Sequence, residues 1–286
     1  MMFLIPKADQ WLPTLAAFPA LLKVFVFLGA WLGLWLPLGV VIAVITKWRW
    51  KQPLAPNQKL VLVGTLYLVS LLICWGTLEV EHTSLVNYGW DWGVSLWLQI
   101  GLGGLLGVMG IGILVALELA RGWVEWQQEN AGGLGNIVIP TLAIALLIST
   151  VEELIFRGFF INILQQDYGL WTAATISSII FALLHLVWEQ RETLPQVPGL
   201  WLMGMVLVGA RIAGQDNLGL AIGLHTGWIL AIATLDTAQL ITYPEPRKPW
   251  LTGYNHKPLA GILGISLLLG TGVVLKFVDN FLRIAP

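Results

Sequence analysis

The chain has 286 residues, 57% of them hydrophobic and 11% charged, with a formal net charge of −1. Soluble domains stay near 45–50% apolar even with glycine counted, so this composition and a mean hydropathy of +0.79 exclude a soluble core and indicate a membrane protein. The near-neutral charge argues against a nucleic-acid partner, which calls for a basic stripe, and the single cysteine, Cys74, excludes an intrachain disulfide framework and a cysteine metal site.

The N-terminal MMFLIPKADQW lacks the charged, apolar, small-residue order of a signal peptide and is expected to belong to the mature protein. A spanning helix needs about 20 mostly apolar residues, because each rises ~1.5 Å through a hydrocarbon layer ~30 Å thick. Eight stretches qualify or nearly so: 18–46, 60–79, 93–119, 136–164, 171–188, 199–213, 218–241 and 259–279. The sixth is short, which makes it tilted, re-entrant or shielded by protein. Sixteen Trp and ten Phe suit aromatic anchoring at the membrane surfaces. The expected fold is all-α, a polytopic helical bundle in a lipid bilayer, either the cell membrane or an internal one. Along the chain, 1–135 reads as a less constrained set of N-terminal helices, 136–241 as a site-bearing core, and 242–286 as a loop with a last spanning helix.

The loops carry the charge. The segment KWRWKQPLAPNQK (47–59) is basic, EVEHTSLVNYGWDW (79–92) is acidic without Lys or Arg, and TYPEPRKPWLTGYNHKP (242–258) is basic and Pro-rich. Lys and Arg concentrate on the cytoplasmic side. That rule places 47–59 inside, together with 189–198 (Arg191) and 242–258 (Arg247, Lys248, Lys257), and both termini opposite. Lys7, Lys276 and Arg283 fall on the outer side and weaken the bias.

Ionisable groups inside a bilayer are costly, so they tend to be paired and functional. Glu152, Glu153 and Arg157 stand in STVEELIFRGFF, His185 in SSIIFALLHLVW at an expected mid-span position, and His225 near the start of the seventh stretch in AIGLHTGWIL. Glu153 and Arg157 are four residues apart and meet on one helical face with the acid N-terminal. Their expected role is an internal ion pair. Glu152 lies about 100° around the helix from Glu153, and one Arg does not easily satisfy both acids. An acid left over in a low-dielectric place is a general-base candidate; its bland alternative is a protonated Glu bonded to a neighbouring helix. A helix histidine taken alone is more often a satisfied core residue. Three helices each offering an acid or an imidazole can activate a water and steady an oxyanion, or hold a divalent metal. The chain lacks HExxH, yet two His and one Glu form a valid catalytic zinc set, so both readings stay open.

These residues resemble the CAAX prenyl protease / bacteriocin-processing (CPBP, Abi) family of intramembrane proteases. Glu152, Glu153 and Arg157 match its EExxxR motif, Phe181 and His185 match FxxxH, and His225 supplies the histidine of HxxxN. The resemblance covers about 136–241. It implies an intramembrane endopeptidase in which Glu152 activates water with His185 as partner, and His225 stabilises the oxyanion. Glu153, Arg157 and Phe181 would support the site. It also implies a membrane-associated protein or peptide substrate, and it leaves a divalent metal such as zinc, held by Glu152, His185 and His225, undecided.

One position departs from the motif. The fourth residue after His225 is Ile229, which cannot donate a hydrogen bond, and losing one oxyanion donor typically costs ~10²–10³ in rate. Thr226 and Asn162 are candidate substitutes. Asp236 shares the face of His225 but lies about 16 Å along the helix, too far to replace the amide directly. The alternative function is a non-catalytic membrane scaffold or bacteriocin-immunity-type protein that has lost hydrolysis. A proton-coupled transporter is a third class, disfavoured because no paired broken helices or internal symmetry are visible.

Overall fold

The computed structural model describes residues 13–49, 52, 54–187, 190–244 and 248–284. The N-terminal segment MMFLIPKADQW, with Lys7, and the loop residue Arg247 lie outside the described residues, as does the side chain of Arg283. Among the described residues eight helices are long and apolar enough to cross a membrane, and they overlap the eight stretches expected from the sequence; the sixth, expected short at 199–213, begins earlier and runs over Gln190–Ala213. The protein is an integral, multi-pass, all-α membrane protein. Large apolar side chains such as Ile45, Trp75, Ile139 and Phe277 point outward, the reverse of a soluble surface and the proper face for lipid.

The main helices are α1 (Ala20–Ile45), α2 (Pro56–Val80), α3 (Val94–Ala120), α4 (Leu134–Glu153), α5 (Leu170–Leu184), α6 (Val197–Ala213), α7 (Gly219–Thr237) and α8 (Ile262–Ile284). The sixth span is shielded by protein: 56% of its apolar window is buried, against 11% for the first. The seventh stretch ends earlier than its apolar run suggests. Gln239 takes a positive φ of 48°, turning the chain so that Ile241–Thr242 pairs antiparallel with Glu125–Trp126.

The chain divides into two compact units, one comprising the residues up to Asn87 with Asn162–Tyr168, the other Tyr88–Ile161 with Gly169 onward. In the first, the indole of Trp31 donates to the carbonyl of Leu66 at 2.8 Å and ties α1 to α2. Lys23 and Glu81 form an ion pair at 2.9 Å, joined by Gln166, which donates to Glu81. Asp167 accepts the backbone N–H of Ala20 at 2.7 Å, satisfying a donor left open at the start of α1.

The second unit is organised by the contact of α3 with α7. Gly103 and Gly107 on α3 face Gly223 and Gly227 on α7, and each backbone lies against the other. A Cβ at Gly107 would stand 2.6 Å from the carbonyl oxygen of Leu224, and one at Gly223 would collide with that of Ile100. Small residues let membrane helices approach this closely, where packing replaces the hydrophobic drive that lipid cannot supply. His225 lies between the two α7 glycines, so the same contact sets its height and rotation. Gly223→Val is expected to destabilise the protein by about 1–3 kcal/mol through overpacking, measured as loss of thermal stability in detergent.

Candidate active site

The fourth span is not a uniform α-helix. After Glu153 the backbone widens into a π-helical segment, Leu154–Phe160, before one more α-turn at Ile161–Leu164. π-segments are rare, cost backbone regularity and concentrate at functional sites. Neighbouring helices stabilise this one by taking up its carbonyls. Ser177 on α5 donates to the carbonyl of Phe156 at 2.8 Å, and the guanidinium of Arg211 on α6 donates to the carbonyl of Arg157. Sequence reasoning missed both supports. An arginine inside the sixth apolar stretch was the available signal for Arg211, whereas nothing in the sequence marks Ser177.

Glu153 and Arg157 meet as expected, with Nη1 of Arg157 3.0 Å from Oε1 of Glu153 and both side chains buried. The same carboxylate oxygen also accepts from Nδ1 of His225 at 2.8 Å, so Glu153 serves two helices. That bond assigns the neutral tautomer of His225: Nδ1 carries the proton and Nε2 the lone pair. Nε2 lies 3.8 Å from Oε2 of Glu152. His225 thus stands beside both acids of the motif, bonded to Glu153 and within 4 Å of Glu152.

His185 is not mid-span. The α5 helix ends at Leu184, and His185 opens a short 3₁₀ turn, His185–Val187. Its Nδ1 lies 2.8 Å from the carbonyl oxygen of Phe181, one of the acceptors left open at a helix C-terminus. This again places the proton on Nδ1 and the lone pair on Nε2. Phe181 fixes the group from the centre. Its fully buried ring lies 4.5 Å from the ring of His185 and 6.2 Å from that of His225, and the Arg157 guanidinium sits 4.5 Å over its face.

Glu152, His185 and His225 line one cavity of about 290 Å³. Its walls are apolar: Ile148, Leu200, Met203, Trp228, Ile229 and Ile232, with Ile111 from α3 and Leu267 and Leu268 from α8 among the others. Ile229 therefore faces the same space as the polar groups. Of the substitutes considered from sequence, Thr226 does not line the cavity, and Asn162 donates to the carbonyl of Asn87. Asp236 does line it, and it pairs with Lys257 at 3.9 Å.

Two imidazole nitrogens and a carboxylate are donors of the right chemistry for zinc. Their arrangement does not fit a three-ligand centre: among the described residues, no three His, Cys, Asp or Glu side chains are grouped so that they could hold a metal ion.

Comparison with known proteins points to the same stretch of chain. Residues 134–231 match the family described as type II CAAX prenyl endopeptidase Rce1-like. An Escherichia coli protein described as an uncharacterized 24.3 kDa protein is 30% identical over 92 residues, which is 32% of this chain and 41% of the relative. The chain thus matches about two fifths of the length of that curated relative. No solved structure matches.

Proposed function

We propose, for a chain whose residues 134–231 match the family described as type II CAAX prenyl endopeptidase Rce1-like, an intramembrane endopeptidase that hydrolyses a peptide bond of a membrane-associated protein or peptide. The observation that carries this reading is the convergence of Glu152, His185 and His225 from three helical segments on one apolar cavity. Water is scarce in such a place, and a carboxylate with two imidazole lone pairs is a set of acceptors suited to hold and deprotonate it.

In this mechanism Glu152 and Nε2 of His185 accept the two protons of a water molecule as hydrogen bonds. Glu152 removes one proton as the water oxygen bonds to the scissile carbonyl carbon and the π electron pair moves onto the carbonyl oxygen. When that tetrahedral species collapses, the C–N bond breaks and the leaving nitrogen takes the proton back from Glu152. His225, oriented by Glu153, is placed beside the reacting centre.

The test is a comparison of protein termini in membranes carrying the wild-type chain or His185→Ala. New termini that depend on the wild-type chain are expected, with their rate of appearance at least ~10²-fold lower in the variant, the usual share of a positioned proton-transfer group. Termini unchanged by the presence of the chain would overturn the reading. A second expectation concerns metal. Since no step above is routed through one, turnover by the purified protein is expected to survive dialysis against o-phenanthroline; loss of activity that added zinc restores would instead assign Glu152, His185 and His225 as ligands.

A further inference from the structure

The polar groups of the cavity share one property that hydrolysis cannot live with alone. His185 and His225 each commit Nδ1 to an acceptor, Phe181 O and Glu153 Oε1, so each neutral ring turns a lone pair outward from Nε2. Glu152 as a carboxylate is also an acceptor. The site is well made to take a proton from water and poorly made to stabilise the negative oxygen that forms next. At the position where the motif carries an amide, Ile229 contributes only hydrocarbon to the wall.

Trp228 is the lining side chain that differs. An indole N–H donates and never accepts, and its donor capacity does not depend on protonation. Trp228 lines the same cavity and is 4% exposed. Its Nε1 is buried with no hydrogen-bond partner among the described residues. Folded proteins rarely leave a buried donor without an acceptor, and such orphans often mark catalytic sites. Trp228 also follows His225 by three residues on α7, one turn further along the same face. Thr226 has a buried hydroxyl of the same status, but it does not reach the cavity wall.

We propose that the indole N–H of Trp228 is the oxyanion donor of this enzyme, standing in for the amide that Ile229 lacks. The assignment rests on the endopeptidase reading above. As water adds to the carbonyl carbon, the electron pair displaced onto oxygen is met by the hydrogen bond from Nε1; when the C–N bond breaks, the pair returns and the bond relaxes. No proton leaves the indole. An N–H held in a dry pocket before the substrate arrives favours the charged species over the neutral carbonyl, which is how such donors accelerate acyl transfer.

The experiment uses the full-length protein in liposomes and a peptide spanning the strongest cleavage site found in membranes, with a phosphinic analogue of that peptide as a mimic of the tetrahedral species. Two variants remove the N–H while keeping an aromatic ring: W228F, and Trp228 replaced by benzothienylalanine, which preserves the indole outline. Both are expected to lower kcat by ~10²–10³ with KM little changed, and to weaken binding of the phosphinic analogue but not of the parent peptide. W228F combined with I229N is expected to regain turnover as the amide takes over the donor role. A benzothienylalanine protein that cleaves within threefold of wild type overturns the assignment of Trp228. If E152Q is inactive in the same assay, the endopeptidase reading survives that result; if E152Q cleaves normally, it is the reading itself that fails.

Discussion

Glu152→Gln is expected to abolish hydrolysis, with a loss of 10³-fold or more, while leaving the protein folded in the membrane. The substitution keeps the volume and one acceptor oxygen but removes the base, and a positioned general base contributes ~10²–10⁴. The larger figure applies because the cavity is mostly apolar and bulk water is not at hand to take over the proton. Stability should change little. Arg157 keeps its direct ion pair with Glu153, and Glu152 acts on the guanidinium only as the smaller of two neighbouring negative charges. Turnover is read on the peptide assay and folding by thermal unfolding in detergent. A non-catalytic scaffold or immunity protein predicts the opposite pattern, with Glu152→Gln retaining the cellular phenotype of the wild type. Retention would therefore favour the reading that Ile229 motivates.

Glu153→Ala should act on the fold first. Its carboxylate neutralises Arg157 and anchors His225, and both the acid and the guanidinium are almost wholly buried. Removing one partner of a buried pair leaves an uncompensated charge, which costs about 3–5 kcal/mol. The protein is expected to accumulate poorly and to unfold many degrees below wild type. Replacing both residues, Glu153→Ala with Arg157→Met, removes the stranded charge and is expected to recover most of the stability, since apolar replacement of a whole buried pair is often neutral. It should not recover activity, because Nδ1 of His225 has then lost the acceptor that fixes its tautomer. Stability restored without turnover separates the two duties of Glu153. Turnover restored along with stability would show that orientation of His225 does not matter.

Much of the site could be read directly from the chain because the bilayer makes it conspicuous. In eight nearly uncharged stretches, Glu152, Glu153, Arg157, His185 and His225 stand out by their desolvation cost, and helical spacing alone pairs Glu153 with Arg157. What spacing could not reveal was the partner across helices. His225 lies 72 residues from Glu153, and no local pattern brings them together. The position of His185 at the end of its helix rather than mid-span has a related reason. The apolar run continues past Leu184, but the helix does not, and where it stops depends on a side chain folding back to cap the Phe181 carbonyl.

The π-segment was likewise invisible. Apart from Arg157 its residues, LIFRGFF, read as an apolar helix, and the partners of its carbonyls, Ser177 and Arg211, stand on other helices. The glycines at 103, 107, 223 and 227 were present in the sequence as small residues in apolar stretches, a pattern shared by many helices that never touch.

By itself, then, the sequence determined that this protein crosses the membrane, roughly where it does so, and which acids and imidazoles have no place in lipid unless they are put to use. Hydropathy and charge are local properties, and the bilayer enforces them residue by residue. Only the tertiary structure decided that Glu153 joins Arg157 to His225, that both histidines present a lone pair to one cavity, and that Ile229 faces that cavity with Trp228 beside it. Those outcomes depend on how closely α3 and α7 approach and on how α5 and α6 meet the π-segment that follows the acids, and such contacts arise from packing between segments far apart in the chain.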